Sequence, residues 1–371
     1  MTNNIEQFSS TQKKMIYSLQ ILRGLAALMV LVRHSSKIAF EGSGIAQFPM
    51  GQSGVDIFFV ISGIVIFITG RHLDWYVFAR RRIARIVPLY WLMTTISVSV
   101  AILSVYFSMG GYKSHGGFSV VNAIASYLFI PSFDENGGIY PAIVLGWTLN
   151  FEMYFYMICT LVLLLAPKRW FLQITSVIIV IGIALGSALY WIPGNKIELP
   201  LAIWLLPITA EFVAGLWLAR LWVQGFRTPL WLNAILIIAA VAALIISPIS
   251  GPYSILRPLY WGIPAIMIVW AALSSEEAID FSRWRVGQLI GDASYAIYLT
   301  HPLVLNLAGI ILRKLKLDIP IWAELAALVA GCTITGIFVH KFIELPMVAH
   351  VSKWLGLSKR KEAVPKLAPT S

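Results

Sequence analysis

Two ionisable residues in the first apolar stretch of the chain are candidates for chemistry. Arg23 and His34 lie eleven residues apart in QILRGLAALMVLVRHSSKIAF, residues 20–40, with Arg33 directly before the histidine. The stretch has the length and apolarity of a membrane-spanning helix, where ionisable groups are costly and usually have a function. Eleven residues of helix rise about 16 Å, so Arg23 and His34 are expected on nearly the same helix face at different depths.

Carboxylates occur in two other apolar stretches. GQSGVDIFFVISG, residues 51–63, contains Asp56, and GWTLNFEMYFY, residues 146–156, places Glu152 among aromatic residues. A carboxylate just inside a membrane span is expected to have a cationic or hydrogen-bonding partner. Gly63 is expected to permit close packing against a neighbouring helix.

Two stretches near the end of the chain contribute further polar groups. They are IGDASYAIYLTHPLV, residues 290–304, with Tyr295 and His301, and VHKFIELP, residues 339–346, with His340 and Glu344. A lone tyrosine or histidine in such a helix is usually an interfacial or hydrogen-bonding residue. Polar groups from several separate spans are better explained by a shared polar cavity. We expect His340 and Glu344 to fix the last helix near its inner end.

An arginine cluster, made of Arg80, Arg81, Arg82 and Arg85, allows two interpretations. It is either a patch that sets topology and binds lipid headgroups, or a clamp for phosphate. Arg82 and Arg85 are three residues apart, so on a helix they share a face and can form forked hydrogen bonds to phosphate oxygens. The cluster alone does not decide between the two.

The composition identifies the elements that must position these groups. A chain of 371 residues that is 58% hydrophobic and 12% charged, with a mean hydropathy of +0.79, is too apolar for a soluble globular protein. We predict an all-α integral membrane protein with about ten transmembrane helices. The predicted spans are roughly 16–38, 52–70, 87–109, 142–166, 171–192, 200–221, 230–248, 257–274, 290–312 and 320–345.

The predicted organisation is a single membrane domain with short flanking segments. Residues 1–15 form a cytoplasmic N-terminal segment, 16–346 the membrane domain and 347–371 a basic cytoplasmic tail. No stretch between the spans is long enough for a second folded domain, and no repeat occurs at a fixed period. The first span is expected to be retained as an anchor, because it carries charges and lacks a clear cleavage site.

The distribution of lysine and arginine predicts that both termini are cytoplasmic. With the N-terminus inside, the inner loops hold most of the cations, and the outer loops hold only Lys37, Lys113, Lys196, Arg257, Arg313, Lys314 and Lys316. The formal charge of +11 then faces anionic lipid headgroups and requires no nucleic-acid partner. Cys159 and Cys332 both fall within spans, which argues against a disulfide framework or a thiolate metal site, and no metal is expected.

The motifs together resemble those of a known family. LRGLAALMVLVRH, GVDIFFVISG, RRRIARIVPLYW, WTLNFEMYFY and SYAIYLTHP occur in the order and spacing of the acyltransferase 3 family of membrane O-acyltransferases, over roughly residues 17–347. The leading LQILRGLAAL is most similar to the exopolysaccharide acetylase branch. Some members carry an appended esterase-like domain, which is not expected after the last span of this chain.

The resemblance implies transfer of an acyl group, usually acetyl from acetyl-CoA, to a hydroxyl of an extracytoplasmic glycan or lipid-linked sugar. It makes His34 the essential histidine, whereas by itself an intramembrane histidine is equally consistent with an interhelical hydrogen bond. Arg23, Arg82 and Arg85 are then expected to hold the phosphates of acyl-CoA. The implied location is the bacterial cytoplasmic (inner) membrane, as a multi-pass protein in contact with lipids.

The remaining site assignments are expectations with alternatives. Asp56 or Glu152 is expected to orient the imidazole of His34, and the sequence does not choose between them. Tyr295 and His301 are assigned to acceptor binding, although a structural role for His301 is equally consistent with its position. The outer stretch 110–141, with Asp134, Glu135 and Asn136, is either an acceptor entrance or an interfacial connector.

Two other functional classes stay open. Buried arginine, carboxylate and histidine in ten spans also fit a proton-coupled transporter of a glycan precursor, although no repeated halves are visible. The chain could also carry acyl groups across the membrane for a separate transferase. A covalent change in acceptor mass would identify the enzyme, and substrate flux without such a change would identify the transporter.

Overall fold

The computed structural model describes residues 16–45, 47–106, 119–190, 199–248, 253–315 and 319–357. These residues form α-helices with shorter 3₁₀ and π turns and contain no strand, which confirms the prediction of an all-α protein. The predicted N-terminal segment 1–15 and residues 358–371 of the predicted tail lie outside the described residues.

Thirteen α-helices occur in the described part of the chain and are numbered in chain order. The first seven are α1 (Tyr17–Ala39), α2 (Gly54–Gly70), α3 (Trp75–Tyr106), α4 (Val120–Tyr127), α5 (Trp147–Leu165), α6 (Phe171–Tyr190) and α7 (Ala210–Val223). The other six are α8 (Leu230–Ile245), α9 (Ile263–Ser274), α10 (Arg285–Asp292), α11 (Ser294–Leu315), α12 (Ile321–Val339) and α13 (Leu345–Trp354).

Six segments in the described ranges are long and apolar enough to cross a membrane, and they contain α2, α3, α5, α6, α11 and α12. Helix α1 has 23 residues but is not among the six, since Arg23, Arg33 and His34 lower its mean hydropathy. Helices α8 and α9 are apolar but shorter. The chain is a multi-pass membrane protein, and the count of ten spans stays a prediction.

Two predicted spans have different boundaries in the structure. Helix α3 begins at Trp75 rather than near residue 87, so the arginine cluster lies inside the helix, and Pro88 is accommodated within it. The predicted span at 200–221 is α-helical only from Ala210, and two short 3₁₀ turns beginning at Pro200 and Pro207 precede the α-helix. Proline lacks the N–H that a continuous helix requires, which explains the interruption.

Helix α1 is surrounded by other helices. It packs against α2, α9, α10, α11 and α12, and its small and branched residues Ala26, Ala27 and Val30 are buried in these contacts. Apart from Lys37, which is exposed in the last turn, the charged residues of α1 therefore face protein, which reduces the cost of placing charge at membrane depth. In contrast, Ile181 on α6 and Ile238 on α8 are exposed, as expected of side chains in contact with lipid.

Glycines bring α2 and α7 into close contact. A Cβ atom added to Gly63 would lie 2.2 Å from the carbonyl oxygen of Phe212, and one added to Gly215 would lie 2.0 Å from that of Val60. Any larger residue would separate the two backbones. The predicted role of Gly63 in close helix packing is confirmed.

Candidate functional site

The imidazole rings of His34 on α1 and His301 on α11 are hydrogen-bonded to each other. Nδ1 of His34 lies 2.8 Å from Nε2 of His301, and the ring centroids are 5.1 Å apart. His301 is fully buried, whereas His34 is half-buried. Among the described residues, Asp56 accepts from Arg257 and Glu152 accepts from Tyr156, and the role of either carboxylate in orienting His34 stays a prediction.

The partners of the two rings determine where their protons lie. Nδ1 of His301 is 3.1 Å from the carbonyl oxygen of Ile297. A carbonyl oxygen only accepts, so this nitrogen carries a proton and donates. In a neutral imidazole, Nε2 of His301 then accepts, and Nδ1 of His34 donates to it. Nε2 of His34 is therefore the ring nitrogen that can take up a proton.

Asp56 is held by an arginine that the sequence placed in an outer loop. Nε and Nη2 of Arg257 donate to the two carboxylate oxygens of Asp56 at 2.9 and 2.7 Å. Both side chains are completely buried. Nη2 also donates to the carbonyl oxygen of Gln52 at 3.1 Å, and the guanidinium lies 4.6 Å from the ring centroid of Trp261. This forked pair satisfies Asp56 without any contact to an imidazole.

Glu211 is a third ionisable residue beside this pair. It lies in the first turn of α7, is 1% exposed, and is within electrostatic range of Asp56 and Arg257. Its carboxyl group occupies space that Gly262 leaves open, since a Cβ at that glycine would be 2.7 Å from Oε1. The group of Asp56, Glu211 and Arg257, here called the buried charge cluster, joins α2 and α7 to the segment before α9.

Tyr298 connects α11 to the start of α5. Its hydroxyl lies 3.1 Å from Oγ1 of Thr148, and its ring packs edge-on against both His301 and Phe58. Trp147, next to Thr148, lies under the guanidinium of Arg257. The pair His34 and His301, with Tyr298 beside it, is called the histidine end of the site.

The opposite part of α1 faces a group of arginines and carboxylates. Arg23 lies within electrostatic range of Arg85, Glu152, Glu344 and Tyr156. The hydroxyl of Tyr156 donates to Oε1 of Glu152, so this predicted catalytic carboxylate lies with the arginines and away from His34. We call Arg23, Arg82, Arg85, Glu152 and Glu344 the arginine end of the site.

Arg82 is positioned by aromatic rings. Its guanidinium lies 5.3 Å from the ring centroid of Phe78 and 5.4 Å from that of Tyr156, and Nη2 donates to Oγ1 of Thr69 at 3.1 Å. Nε of Arg82 is buried and has no hydrogen-bond partner among the described residues. Tyr156 is within electrostatic range of both Arg82 and Arg85, so the two arginines reach the same neighbour. A guanidinium held in this way can bind an anion.

Tyr295 and the last span complete the arginine end. The hydroxyl of Tyr295 donates to the carbonyl oxygen of Ile86 at 2.8 Å, and its ring lies near Glu152, Glu344 and Arg85. Tyr295 and His301 are thus both on α11 but face different ends of the site. Nδ1 of His340 lies 2.7 Å from Oε2 of Glu344 within a π turn, and Glu344 also faces Arg23.

The outer stretch contains a tight turn at residues 134–138. Oδ1 of Asp134 accepts from the backbone N–H groups of Asn136 and Gly138 at 2.9 and 2.8 Å, so this carboxylate builds the turn. Glu135 and Asn136 are exposed. Residues 110–118 of the predicted entrance lie outside the described residues.

Local sequence patterns do not reveal the partners that join distant parts of the chain. His301 and His34 are separated by 267 residues, and Arg257 and Asp56 by 201 residues. For Glu211, the only sequence feature that could have indicated a role was a carboxylate within an apolar stretch. In the residues that the structure covers, no three His, Cys, Asp or Glu side chains are grouped so that they could hold a metal ion.

Comparison with known proteins places this arrangement in a family. The family model described as Acyltransferase domain matches residues 16–340. The exopolysaccharide production protein ExoZ of Rhizobium meliloti is 30% identical over 309 residues, which cover 81% of this chain and 91% of that protein. No solved structure matches the chain.

Two further relatives are more distant. The peptidoglycan O-acetyltransferase OatA of Listeria monocytogenes is 27% identical over 90% of this chain but only 56% of that longer protein. The acyltransferase MdmB of Streptomyces mycarofaciens is 28% identical over 78% of this chain and 79% of that protein. The family model covers the whole histidine end and every residue of the arginine end except Glu344, and the chain belongs to the acyltransferase 3 family.

Proposed function

We propose that the chain is a membrane O-acyltransferase. It takes an acyl group, acetyl in the simplest case, from cytoplasmic acyl-CoA and transfers it to a hydroxyl of an extracytoplasmic or lipid-linked glycan. Family membership supports the reaction class. The names of two relatives, an exopolysaccharide production protein and a peptidoglycan O-acetyltransferase, support a glycan as the acceptor.

The observation that carries the proposal is the separation of the two ends of the site along α1. Arg23 faces the arginine end and His34 the histidine end, eleven residues or about 16 Å of helix apart. Acyl-CoA has a matching shape, with phosphates at one end and the thioester at the end of a long flexible arm. Phosphate held by Arg82 and Arg85 would leave that arm to extend toward His34.

The histidine pair supplies the chemistry in this proposal. Nε2 of His34 takes the proton from the acceptor hydroxyl, and the resulting oxygen nucleophile attacks the thioester carbonyl. The C–S bond breaks, the thiolate of CoA leaves, and the proton on His34 passes to that sulfur. His301 accepts from Nδ1 of His34 throughout and holds the ring in the required tautomer.

We also propose the orientation that this reaction requires. Ten membrane crossings, with both termini in the cytoplasm, place the arginine end on the side where acyl-CoA is made. Positive charge on that side comes from Arg71, between α2 and α3, and from Arg80 in the first turns of α3. His72 adds little charge, because partial burial, Arg71 and Lys168 lower its pKa. The histidine end then lies toward the outer leaflet.

The decisive experiment uses the purified protein in lipid vesicles with acetyl-CoA labelled in the acetyl group. Label in an added glycan, together with the mass increase of one acetyl group, would support the enzyme. Glycan movement across the vesicle membrane without a mass change would favour the transporter. Label that crosses the membrane but enters no glycan until a second protein is added would favour the acyl carrier.

The glycan that accepts the acyl group can be identified in cells. Mass spectrometry of surface glycans from cells with and without the gene should show the loss of acetyl from one glycan class. Unchanged glycan acetylation in the deletion strain would contradict a glycan acceptor, and the same extract would then be searched for other acylated molecules.

A further inference from the structure

The histidine end of α1 carries two cations that the proposed reaction does not use. Arg33 directly precedes His34 and is only 8% exposed. Its Nη1 donates to the side-chain oxygen of Gln47, while its Nε is buried without a hydrogen-bond partner among the described residues. A buried guanidinium normally has an anionic partner. Here its one bonded partner in the described chain is a neutral amide.

Lys37 lies one helical turn beyond Arg33 on the same face of α1. The two cations are electrostatic neighbours, and Lys37 is exposed at the end of the helix. Within the described ranges, no carboxylate forms an ion pair with either residue. Two cations held together in this way repel each other unless an anion lies between or beside them.

The segment after α1 shapes the space around Arg33. A Cβ added to Gly51 would lie 2.9 Å from Cβ of Arg33, so the glycine allows this segment to fold closely over the arginine. The hydroxyl of Ser36 accepts from the backbone N–H of Phe48 at 3.4 Å on the same side. Gln47 is itself exposed, so its contact with Arg33 can be exchanged for an oxygen of an incoming anion.

We propose that Arg33 and Lys37 bind a phosphate group of the acceptor beside His34. The substrate class is then a phosphate-bearing glycan, such as a saccharide linked to lipid through a diphosphate. This inference rests on the proposed function, since it specifies the acceptor of the same reaction. The positive-inside rule predicts few cations at the outer end of α1, and a phosphate on the acceptor explains why two are found there.

The position beside His34 gives the phosphate a role in the reaction. Arg33 and His34 are consecutive residues of α1, so an anion on Arg33 is anchored to the same turn of helix as the base. Their side chains leave the helix about 100° apart, so the sugar attached to the phosphate must span from one direction to the other. A charge-assisted contact there fixes the hydroxyl of the attached sugar relative to Nε2 of His34. A neutral polymer lacks this anchor and must be positioned by other contacts.

The test compares two probes, a saccharide carrying a phosphate and the same saccharide after phosphate removal. In wild-type protein, acetyl transfer to the phosphorylated probe should have a KM at least about tenfold lower. Arg33→Gln and Lys37→Gln should raise that KM about tenfold each and leave the KM for the neutral probe unchanged. Arg285→Gln, which removes an exposed cation elsewhere, is the control and should change neither.

Binding of each probe is measured together with acetyl transfer, so that failure of the proposed reaction can be distinguished from failure of the proposed phosphate subsite. If the wild type acetylates neither probe, the proposed reaction fails, and weaker binding of the phosphorylated probe to Arg33→Gln still supports the subsite. Equal KM values for both probes, or variants without effect, overturn the subsite while the reaction stands. Should Arg33→Gln not fold, the exposed Lys37→Gln alone decides.

A lipid headgroup could supply the same phosphate chemistry. The variants are therefore compared in vesicles of phosphatidylcholine with and without phosphatidylglycerol. An effect of Arg33→Gln that persists without phosphatidylglycerol supports the acceptor phosphate. An effect seen only with phosphatidylglycerol shows that the pair binds lipid and overturns the acceptor assignment.

Discussion

The arginine end and the histidine end of the site satisfy their polar groups in different ways. At the arginine end, cations and carboxylates face one another, with Arg23 near both Glu152 and Glu344. At the histidine end, His34 and His301 bond to each other, and the nearest forked ion pair, Asp56 with Arg257, is completely satisfied within the buried charge cluster. The arginine end thus gathers ionised side chains of both signs, whereas at the histidine end two imidazoles pair with each other and the nearby cations Arg33 and Lys37 lie outside that pair.

The contrast matches two different tasks. An anion-binding end needs cations that outnumber their carboxylates, and three arginines face two glutamates there. A proton-accepting end needs a ring that is neutral at rest, because a neighbouring carboxylate would favour the protonated form. The second imidazole fixes the tautomer of His34 without adding negative charge.

The largest expected effect is at the histidine end. His34→Ala removes the proposed base, and we expect acetyl transfer to fall by about 10²–10⁴-fold, the usual contribution of a general base. Binding of acyl-CoA at the arginine end should be unchanged. The measurements are the initial rate with labelled acetyl-CoA and the Kd for acyl-CoA in the same preparation.

A companion variant tests whether the second ring acts through the first. His301→Gln keeps an oxygen that can accept from Nδ1 of His34, so it should retain more activity than His301→Ala and should shift the pH profile of kcat. Transfer by folded His34→Ala at the normal rate would remove the base assignment. Loss of acyl-CoA binding in the same variant would show that the two ends are not separate.

The second prediction asks whether Asp56 belongs to the fold or to the chemistry. Asp56→Asn leaves the buried Arg257 without its counter-charge, which should lower the free energy of unfolding by about 3–5 kcal/mol. Thermal unfolding in detergent measures the change. Asp74→Asn, in an exposed ion pair with Lys168, is the control and should have little effect. A stable but inactive Asp56→Asn protein would show that Asp56 takes part in the reaction.

The sequence predicted local features better than long-range pairs. The all-α class and the close packing at Gly63 follow from composition and from residue size, so both could be predicted. The partner of His34 could not, because nothing in the local sequence tells which of several buried polar side chains it meets. Asp56 and Glu152 were plausible partners by charge, and the structure engages each elsewhere.

The distribution of charged residues along the chain gave a wrong location for Arg257. Its position after a short polar connection predicts an outer-loop cation, but the side chain is completely buried. A completely buried arginine needs a carboxylate, and the one it meets is 201 residues earlier in the chain. Pairing of this kind depends on which helices become neighbours, and periodicity within one helix does not contain that information.

The third prediction concerns the arginine end. Arg82→Lys and Arg85→Lys keep the charge but lose the forked hydrogen bonds and, for Arg82, the packing between Phe78 and Tyr156. We expect the KM for acyl-CoA to rise about tenfold in each, with kcat nearly unchanged. Arg80→Lys, at an exposed position in the same helix, is the matched control. Wild-type KM values in both variants would favour a lipid-facing patch.

The smallest expected effect is in the outer turn at residues 134–138. Asp134 is committed to its own backbone, so only the exposed Glu135 and Asn136 offer groups to a sugar. Glu135→Gln with Asn136→Ala should raise the KM for the glycan by about two- to tenfold, the range for one or two hydrogen bonds. The KM for acyl-CoA should stay constant, because that substrate is proposed to bind at the arginine end. If both KM values rise together, the turn acts on the whole fold; if neither changes, it is an interfacial connector and the acceptor enters elsewhere.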